Sequence, residues 1–413
     1  MQILISHLTG NLNSSAAALA YAELSMLAEF HTTLVVPAWM RWLSVELGWK
    51  SGISNRRLFP RSVRPMLRSH PMTELLRLAC RSSARLRNSR LGRNHGSLEQ
   101  AVQRFDAAVA RSVAQSQGLQ AVHAYMDTAE QTFRAARAQG IRTIYELPTP
   151  YWRFTHDIVV VEARSQPEWA MTLPVMDKNS EAMQRRDREL QLADVVLVPS
   201  ELVRDSLKMA PPFPAQVHVV PYGCPELQTP ITRPPSTLAS LHPLRVLYVG
   251  SLNQGKGLAY LAEAMNGLEE LATLTVIGSR TSVAPCAALN RMLLEHRHLS
   301  GLSHEEVLTE MRQHDVLVLP TLYEGLALVL LESMACGLTV ITTVHSGLAG
   351  LIENGQEGFI VPIRDATAIH DRLRQLARDA VLLQTMQQAA QAWSRVHSWQ
   401  RYREQIRGFI TAK

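Results

Sequence analysis

Short runs of apolar, mostly β-branched residues recur along the whole chain, and a segment with helical periodicity follows almost every run. Strands that alternate with helices of about ten residues or more indicate parallel sheets covered by helices on both faces. The predicted strands are residues 3–6, 33–36, 119–123, 142–145, 195–198, 217–220, 245–249, 273–277, 315–319, 339–342 and 358–361. These are too many strands for one such sheet. The chain therefore predicts an α/β protein with two doubly wound, Rossmann-like domains facing across a cleft.

A proline-rich stretch without helical or strand periodicity separates the two halves. We predict an N-terminal domain over residues 1–225, a linker over 226–243 and a C-terminal domain over 244–395. Residues 396–413 carry an amphipathic pattern and predict a closing helix that packs back toward the N-terminal domain. A length of 413 residues, 46% of them hydrophobic and 19% charged, suits two domains with large cores.

The cysteines and the N-terminal sequence indicate the cellular compartment of the protein. The four cysteines are scattered without a CxxC pair, which argues against a disulfide framework or a zinc site and fits a reducing environment. The N-terminal sequence MQILISHLTG lacks a basic start and reads as a core strand, not a signal peptide. No run approaches the roughly 20 apolar residues of a membrane-spanning helix. The sequence predicts a cytoplasmic protein.

A basic segment over residues 50–95 belongs to the predicted N-terminal domain, in a chain whose net charge is +6. Its arginines lie between residues 56 and 93, where Glu74 is the single acid, and leucine and arginine alternate there at helical spacing. This pattern can attach a protein peripherally to an anionic membrane, here the inner face, or bind phosphates, and a solvated helix face is an equal alternative. We do not expect nucleic-acid binding, because no aromatic-interleaved patch or known nucleic-acid module accompanies the arginines.

The loops that follow the strands are the candidate ligand sites, because open α/β sheets bind ligands beyond the carboxyl ends of their strands. After strand 245–249 the chain reads GSLNQGKGLAYL, in which glycines permit close approach and a helix is predicted to start near Leu258. The free N–H groups of that helix and the charge of Lys256 suit an anion such as a diphosphate, although exposed lysines on glycine turns are common. The candidate residues in these loops are Gly250, Ser251, Asn253, Lys256 and Gly278.

Two acids mark the apolar stretch PTLYEGLALVLLESMACG at residues 320–337. Gly325 is predicted to begin a helix whose N-terminus faces the same anion, and Glu324 can cap that helix. Glu332 lies two turns further on among apolar residues, where an unpaired carboxylate is costly. A ribose diol is the usual partner of an acid at this distance from a phosphate-binding turn. A buried ion pair with a lysine or arginine is the alternative.

Together these motifs resemble the retaining glycosyltransferases of family 4, which have the GT-B fold. The chain shows strand–GxLxxxKG–helix and then P-T-x-x-E-G, and the spacing of Glu324 and Glu332 matches the E-x7-E motif of that family. Residues 189–207, 219–224 and 353–365 also read like its members. The resemblance implies transfer of a sugar from a nucleoside-diphosphate sugar to a glycan or lipid-linked acceptor with retention of configuration, in the synthesis of a surface polysaccharide or glycolipid.

The resemblance also implies roles for individual residues. Lys256 would contact the diphosphate, Glu332 the ribose and Glu324 the transferred sugar. The backbone that would hold phosphate and sugar oxygens belongs to Gly325, Leu326, Ala327 and Leu328. The leaving diphosphate would itself take the acceptor proton. No cofactor or metal is expected, and the chain has no DxD motif.

One position departs from the family pattern. Most members carry an arginine directly after the strand glycine, where this chain has Ser251. Arg280 is our first candidate for the missing charge. A non-catalytic nucleotide-sugar-binding protein or scaffold therefore stays open as an alternative, as does a sugar-nucleotide epimerase of the same fold.

The resemblance places the acceptor beside the first domain. Gly10 and Asn11 follow the first strand, and His123 ends a strand on the same side, where a structural role is the alternative. Glu146 follows a strand at a place where relatives often have a histidine, and we predict that it orients the acceptor. With Lys256 and Glu324, it completes the set of catalytic candidates. Residues 148–152 predict an aromatic wall for a sugar.

Overall fold

The structure is a computed structural model that describes residues 1–35, 59–82, 97–227, 243–281 and 285–411. Most of the predicted linker 226–243 and much of the basic segment 50–95 lie outside the described residues. Within the described part of the chain, no helix is long and apolar enough to cross a bilayer.

The described strands form two parallel sheets, one in each half of the chain. The strands of the first sheet are β1 (Ile3–Ser6), β2 (Leu27–Thr32), β3 (Leu67–Ser69), β4 (Ala121–Tyr125), β5 (Arg142–Glu146), β6 (Val195–Val198) and β7 (Gln216–Val219). Those of the second are β8 (Leu244–Val249), β9 (Ala272–Ile277), β10 (Arg297–Leu299), β11 (Val316–Leu319), β12 (Thr339–Thr343) and β13 (Gly358–Val361). Two doubly wound domains are therefore confirmed.

The described helices follow the strands in the alternation that the sequence predicts. In the first half they are α1 (Leu12–Glu23), α2 (Pro71–Ser82), α3 (Leu98–Gln115), α4 (Glu130–Arg137), α5 (Trp152–Ser165), α6 (Glu181–Leu192) and α7 (Glu201–Ser206). In the second half they are α8 (Leu258–Met265), α9 (Ala287–Glu295), α10 (His304–Arg312), α11 (Leu328–Ala335), α12 (Ala366–Arg378), α13 (Ala380–Val396) and α14 (Trp399–Thr411).

Each sheet has one position where the strand order reverses direction. The first sheet has the order β3-β2-β1-β4-β5-β6-β7 and the second β10-β9-β8-β11-β12-β13. In both, the first strand of the domain lies beside the fourth, and the loops that leave these two strands diverge to opposite faces. Such a switch point is where doubly wound sheets bind ligands. In the second domain it lies between β8 and β11.

The cores explain why the central strands are continuous apolar runs. Strands β1, β4, β6 and β11 are buried at every residue, as expected for parallel strands with helices on both faces. In the first domain, α3, α4 and α6 pack on one face of the sheet and α1 on the other. The C-terminal helix α14 leaves the second domain and packs on α1, where Arg403 and Arg407 both pair with Glu23.

Three strand predictions need correction. The predicted strand at 33–36 is wrong, since the strand is β2 at Leu27–Thr32 and residues 33–35 follow it as irregular chain. Glu29 and His31 interrupt its apolar pattern because they bind each other, and Glu29 also accepts from Arg68 on β3. The short strands β3 and β10 were not predicted. Both lie at sheet edges and contain an arginine, so they lack the apolar run that marks the central strands.

Candidate functional site: the switch point of the second domain

The loop after β8 forms a tight turn that carries Lys256. Residues Gln254–Lys256 make one turn of 3-10 helix, and Gly257 adopts the left-handed conformation with φ 75° before α8 begins. A Cβ at Gly257 would lie 1.9 Å from the carbonyl oxygen of Pro320, so only glycine fits there without movement. The Leu322 N–H donates to the Gly255 carbonyl at 2.9 Å. The turn after β8 thus packs directly on the loop after β11 and is hydrogen-bonded to it.

Lys256 and Glu324 form an ion pair at this junction, as the shared sheet edge predicts. Their side chains are 24% and 19% exposed, so the pair lies at the base of the switch point and is still reached by solvent. Burial lowers the pKa of Lys256 to about 8. The lysine is therefore mainly charged at neutral pH, but with a much smaller margin than an exposed lysine has.

The start of the β8 loop is held by short-range hydrogen bonds. The Asn253 amide donates to the Ser251 hydroxyl at 2.8 Å, and the Tyr248 hydroxyl donates to the Ser251 carbonyl at 2.9 Å. Gly278, at the end of β9, lies against the Gly250 carbonyl, which a Cβ would approach to 1.9 Å. The exposed Arg280 is paired through its backbone with Leu252, next to Ser251. Arg280 therefore stays a candidate for the missing charge.

The loop after β11 corrects the predicted start of the second helix. Helix α11 begins at Leu328, three residues later than predicted, and Ala327 is its N-cap residue, without a side-chain capping bond. The β12 loop binds N–H groups in the residues before it: Glu324 donates to the His345 carbonyl at 2.9 Å and Ala327 to the Ser346 carbonyl at 3.3 Å. Glu324 does not cap α11, which leaves its carboxylate to Lys256.

Gly325 is the point at which this loop meets the N-terminal domain. The Ser200 hydroxyl donates to the Gly325 carbonyl at 2.5 Å, and a Cβ on Gly325 would lie 1.8 Å from the Pro148 carbonyl oxygen. Leu326 and Ala327 are buried and Leu328 is partly buried. The predicted phosphate and sugar contacts of the 325–328 backbone are untested, and the glycine itself is explained by the domain contact.

Glu332 has a different environment from the one that its neighbours suggest. Its carboxylate is 16% exposed and is bonded to the Nε2 atom of His304 at 2.9 Å, at the start of α10. The partner is thus a largely exposed histidine, not the buried lysine or arginine that we weighed as an alternative. The side chain lies at the edge of the apolar helix α11, where a ligand can reach it.

The loop after β12 belongs to the same site and was missed in the sequence. His345 and Ser346 supply the carbonyls that shape the Glu324 loop, and Gly347 has φ 77° with its Cβ position 2.0 Å from the Gly325 carbonyl oxygen. The signal was available, because TVHSGL directly follows the predicted strand 339–342 and glycine again marks a close backbone approach.

The acceptor candidates His123 and Glu146 are buried beneath the surface of the first domain. The His123 ring is bonded through Nδ1 to the Tyr21 hydroxyl at 2.8 Å and through Nε2 to Glu146 at 3.1 Å. Glu146 also accepts from the Tyr222 hydroxyl at 3.2 Å. This network accounts for both residues structurally, and their roles toward an acceptor stay predictions.

The loop after β1 offers a side chain that sequence reasoning did not single out. His7 accepts the Gly10 N–H at 2.8 Å and the Thr9 N–H at 3.2 Å through Nδ1. Burial, with a smaller contribution from His123, lowers the pKa of His7 to about 3, so its neutral ring carries the proton on Nε2. Asn11 is the N-cap of α1 and accepts the Ser14 N–H at 2.9 Å, which commits its side-chain oxygen to capping. The acceptor roles of Gly10 and Asn11 are untested.

The predicted aromatic wall at residues 148–152 is wrong. Tyr151 and Trp152 are buried in the first domain, and both donate to the carboxylate of Asp187. Their polar atoms are satisfied inside the fold, so neither ring faces a sugar.

The part of the chain that the structure describes contains no group of three or more His, Cys, Asp or Glu side chains that could hold a metal ion. Metal independence stays a prediction.

The second domain matches a known protein family. Residues 234–393, which carry every donor-side candidate, match the family described as glycosyl transferases group 1. Over 153 residues the chain is 32% identical to the putative colanic acid biosynthesis glycosyltransferase WcaL of Salmonella typhimurium, covering 33% of this chain and 36% of that protein. Over 152 residues it is 32% identical to the amylovoran biosynthesis glycosyltransferase AmsK of Erwinia amylovora, covering 34% and 37%. The matches thus span little more than a third of either relative.

Solved structures extend the likeness to the whole chain. WaaG, a glycosyltransferase involved in lipopolysaccharide biosynthesis, aligns over 100% of both chains with a TM-score of 0.64 and 14% identity. Anabaena HepE in complex with UDP-glucose aligns over 100% of this chain and 99% of its own, with a TM-score of 0.60 and 15% identity. The two domains therefore form a GT-B fold, and the second carries the match to glycosyl transferases group 1.

Proposed function

We propose that the protein transfers a sugar from a nucleoside-diphosphate sugar to a glycan or lipid-linked acceptor, with retention of configuration, in the synthesis of a surface polysaccharide or glycolipid. The observation that carries this proposal is the Lys256–Glu324 pair at the switch point of a glycosyltransferase group 1 domain. An ammonium and a carboxylate meet there at the base of three loops, which is where a diphosphate and the sugar attached to it would lie.

The reaction needs little from the protein beyond fixed charge. The bond between the anomeric carbon and the β-phosphate oxygen breaks, and the acceptor oxygen bonds to the same face of that carbon. The acceptor proton passes to the leaving diphosphate. Lys256 stabilises the negative charge that develops on the diphosphate, which is the usual main contribution of an active site of this kind. No metal enters this scheme.

Glu324 and Glu332 would divide the sugar and the nucleoside between them. Glu324 lies next to Lys256, so a diphosphate bound by the lysine brings the transferred sugar against this carboxylate. Glu332 lies eight residues after Glu324, at an accessible edge of α11. Its carboxylate can accept hydrogen bonds from the ribose hydroxyls while it also contacts His304. The names of the relatives, two of which concern polysaccharide biosynthesis, support a glycan product.

Attachment to an anionic membrane through residues 56–93 belongs to the same proposal, with the protein on the cytoplasmic face. Much of this segment lies outside the described residues, but α2 within it exposes Met72 and Leu75. An apolar face flanked by arginines suits insertion into the headgroup region. Cosedimentation with anionic liposomes should fall steeply as salt rises and should collapse when four of these arginines become serine. Binding that is insensitive to both changes would contradict membrane attachment.

A two-step experiment tests the transferase. A thermal-shift screen with UDP, GDP, ADP and dTDP identifies the nucleotide, and a transfer assay with the corresponding sugar nucleotides follows. We expect stabilisation by one of the four, loss of that stabilisation in Lys256→Ala, and turnover in the wild type. Stabilisation without transfer or hydrolysis of any sugar nucleotide would instead favour a non-catalytic binding protein. No stabilisation by any nucleotide would refute the donor site.

A further inference from the structure

A fully buried carboxylate lies at the interface between the two domains, behind the turn that carries Lys256. Glu162, on α5 of the first domain, has no exposed side-chain surface. Its Oε1 atom accepts from Gln254 Nε2 at 2.8 Å and from the Tyr260 hydroxyl at 2.9 Å, and its Oε2 atom accepts from Arg364 Nε at 2.7 Å. All three donors belong to the second domain, so this carboxylate joins the two domains by charge-assisted hydrogen bonds.

Gln254 connects this carboxylate to the Lys256 turn. It is fully buried, begins the 3-10 turn Gln254–Lys256 and uses every polar group that it has. Its backbone N–H donates to the Thr172 hydroxyl of the first domain at 2.9 Å, its side-chain nitrogen donates to Glu162, and its side-chain oxygen accepts the Ala259 N–H at 2.9 Å. The first domain therefore holds both the start of the turn and, through Gln254, the first turn of α8.

The hydrogen bonds to Glu162 at the domain interface indicate that the relative position of the bonded groups must be fixed. Apolar side chains would join two domains at lower cost, because a buried charge must recover its lost hydration through well-placed partners. Here Arg364 contributes the countercharge from a backbone with φ 64°, an uncommon conformation for a residue other than glycine. Arg364 also donates to the Ile158 carbonyl at 3.2 Å, one turn before Glu162 on α5. Directional bonds of this kind fix the position of Gln254, and apolar contacts would not.

We propose that Glu162 is a positioning residue of the nucleotide site. It acts through Gln254 to hold the Lys256 turn in its binding geometry, and it does so only while the two domains are together. This inference rests on the proposed function, because the turn is taken to bind a nucleoside diphosphate. Glu162 itself does not touch the nucleotide.

The test uses the full chain, Glu162→Gln, and the nucleoside diphosphate selected by the screen of four. Glutamine is isosteric with glutamate and can keep its oxygen toward the Arg364 guanidinium, so its amide nitrogen faces Gln254 Nε2 and the Tyr260 hydroxyl, and the Gln254 contact is lost. We expect amide hydrogen exchange over residues 250–259 to accelerate and nucleotide affinity to fall about tenfold, as for loss of a hydrogen bond to a charged group. The control is Arg291→Gln, which removes an exposed ion pair to Glu168 across the same two domains without touching the turn.

Gln254→Ala is the second variant, since it removes no charge and keeps the test decisive if Glu162→Gln unfolds. It should accelerate exchange over the same residues and weaken the nucleotide to a similar degree. The double variant Glu162→Gln with Lys256→Ala should bind no more weakly than Lys256→Ala alone, because Glu162 acts through the turn that positions Lys256.

Unchanged exchange and affinity in both single variants, or fully additive losses in the double variant, would overturn the inference. Failure of the proposed function can be distinguished from failure of the inference about Glu162. If Lys256→Ala leaves nucleotide binding intact, the proposed function is wrong, and the exchange rates of residues 250–259 still decide whether Glu162 holds the turn.

Discussion

Replacing Gly257 by alanine should damage the Lys256 turn through two separable effects. The first is conformational, because φ 75° costs an L-residue about 1–2 kcal/mol. The second is steric, since the new Cβ would lie 1.9 Å from the Pro320 carbonyl oxygen, whereas Cβ atoms essentially never approach another heavy atom to less than 3.0 Å. The turn or the β11 loop must therefore move by about 1.1 Å, which displaces Lys256 relative to Glu324.

Gly267 provides a matched control a few residues away, after α8. It has φ 79°, but no atom lies within 4 Å of its Cβ position, so Gly267→Ala carries the conformational cost alone. At about 2–4 °C per kcal/mol for a domain of 150–250 residues, that cost lowers the melting temperature of the second domain by roughly 2–8 °C. Gly257→Ala should lower it further, by the additional cost of moving backbone.

The assay is thermal unfolding combined with nucleotide titration and, once the substrates are known, turnover. A displacement of about 1 Å in an active site can cost on the order of 10²-fold in rate. We therefore expect Gly257→Ala to lose about that factor and to bind nucleoside diphosphate weakly, with Gly267→Ala unchanged in both. Equal effects of the two variants would show that the Pro320 contact has no part in placing Lys256.

Three further predictions concern the charges of the site. Glu332→Gln should weaken nucleotide affinity and leave turnover at saturating donor nearly unchanged. Glu324→Gln should lower turnover, while the free nucleotide binds at least as well. If Glu332→Gln instead lowered turnover and Glu324→Gln weakened nucleotide binding, the assigned roles would be contradicted. Because burial lowers the pKa of Lys256 to about 8, its charged form is lost as pH rises through that value. The dissociation constant measured by calorimetry should rise about tenfold from pH 7 to pH 9, and this rise should be absent in Lys256→Arg. Ser251→Arg should tighten nucleotide binding by about 1–2 kcal/mol. If it does not, adding Arg280→Ala shows whether Arg280 already fills that place.

The fold was largely predictable because buried parallel strands leave a strong sequence signal. Strands such as β6 and β11 are continuous apolar runs, and all but one of the predicted runs became strands within a few residues of the expected limits. The failure at β2 has a specific cause. Glu29 and His31 alternate with apolar residues there, and Arg68, the further partner of Glu29, comes from β3, which the sequence pattern did not predict.

The site was predictable only where it depends on the sheet edge. The carboxyl ends of adjacent parallel strands lie at the same edge of a sheet, and this principle alone places Lys256 near Glu324. The start of α11 was placed too early because the His345 and Ser346 carbonyls of the β12 loop bind the N–H groups of Glu324 and Ala327. The partner of Glu332 lies on another helix and the partners of Glu162 lie in the other domain. No spacing along the chain predicts these contacts.

On the proposed function, the charges around Lys256 explain how binding of the donor can free the Glu324 carboxylate to contact the transferred sugar. Ser251 leaves one expected cation out, the Gln254 side chain already takes the Ala259 N–H of α8, and Glu324 neutralises Lys256. On the proposed function, a diphosphate must therefore displace Glu324 from the lysine. It can do so because it carries more negative charge than one carboxylate, and the helix N-terminus adds to its attraction. Nucleotide binding and release of the Glu324 carboxylate are then a single event, so this carboxylate becomes available to the transferred sugar only when the donor is in place.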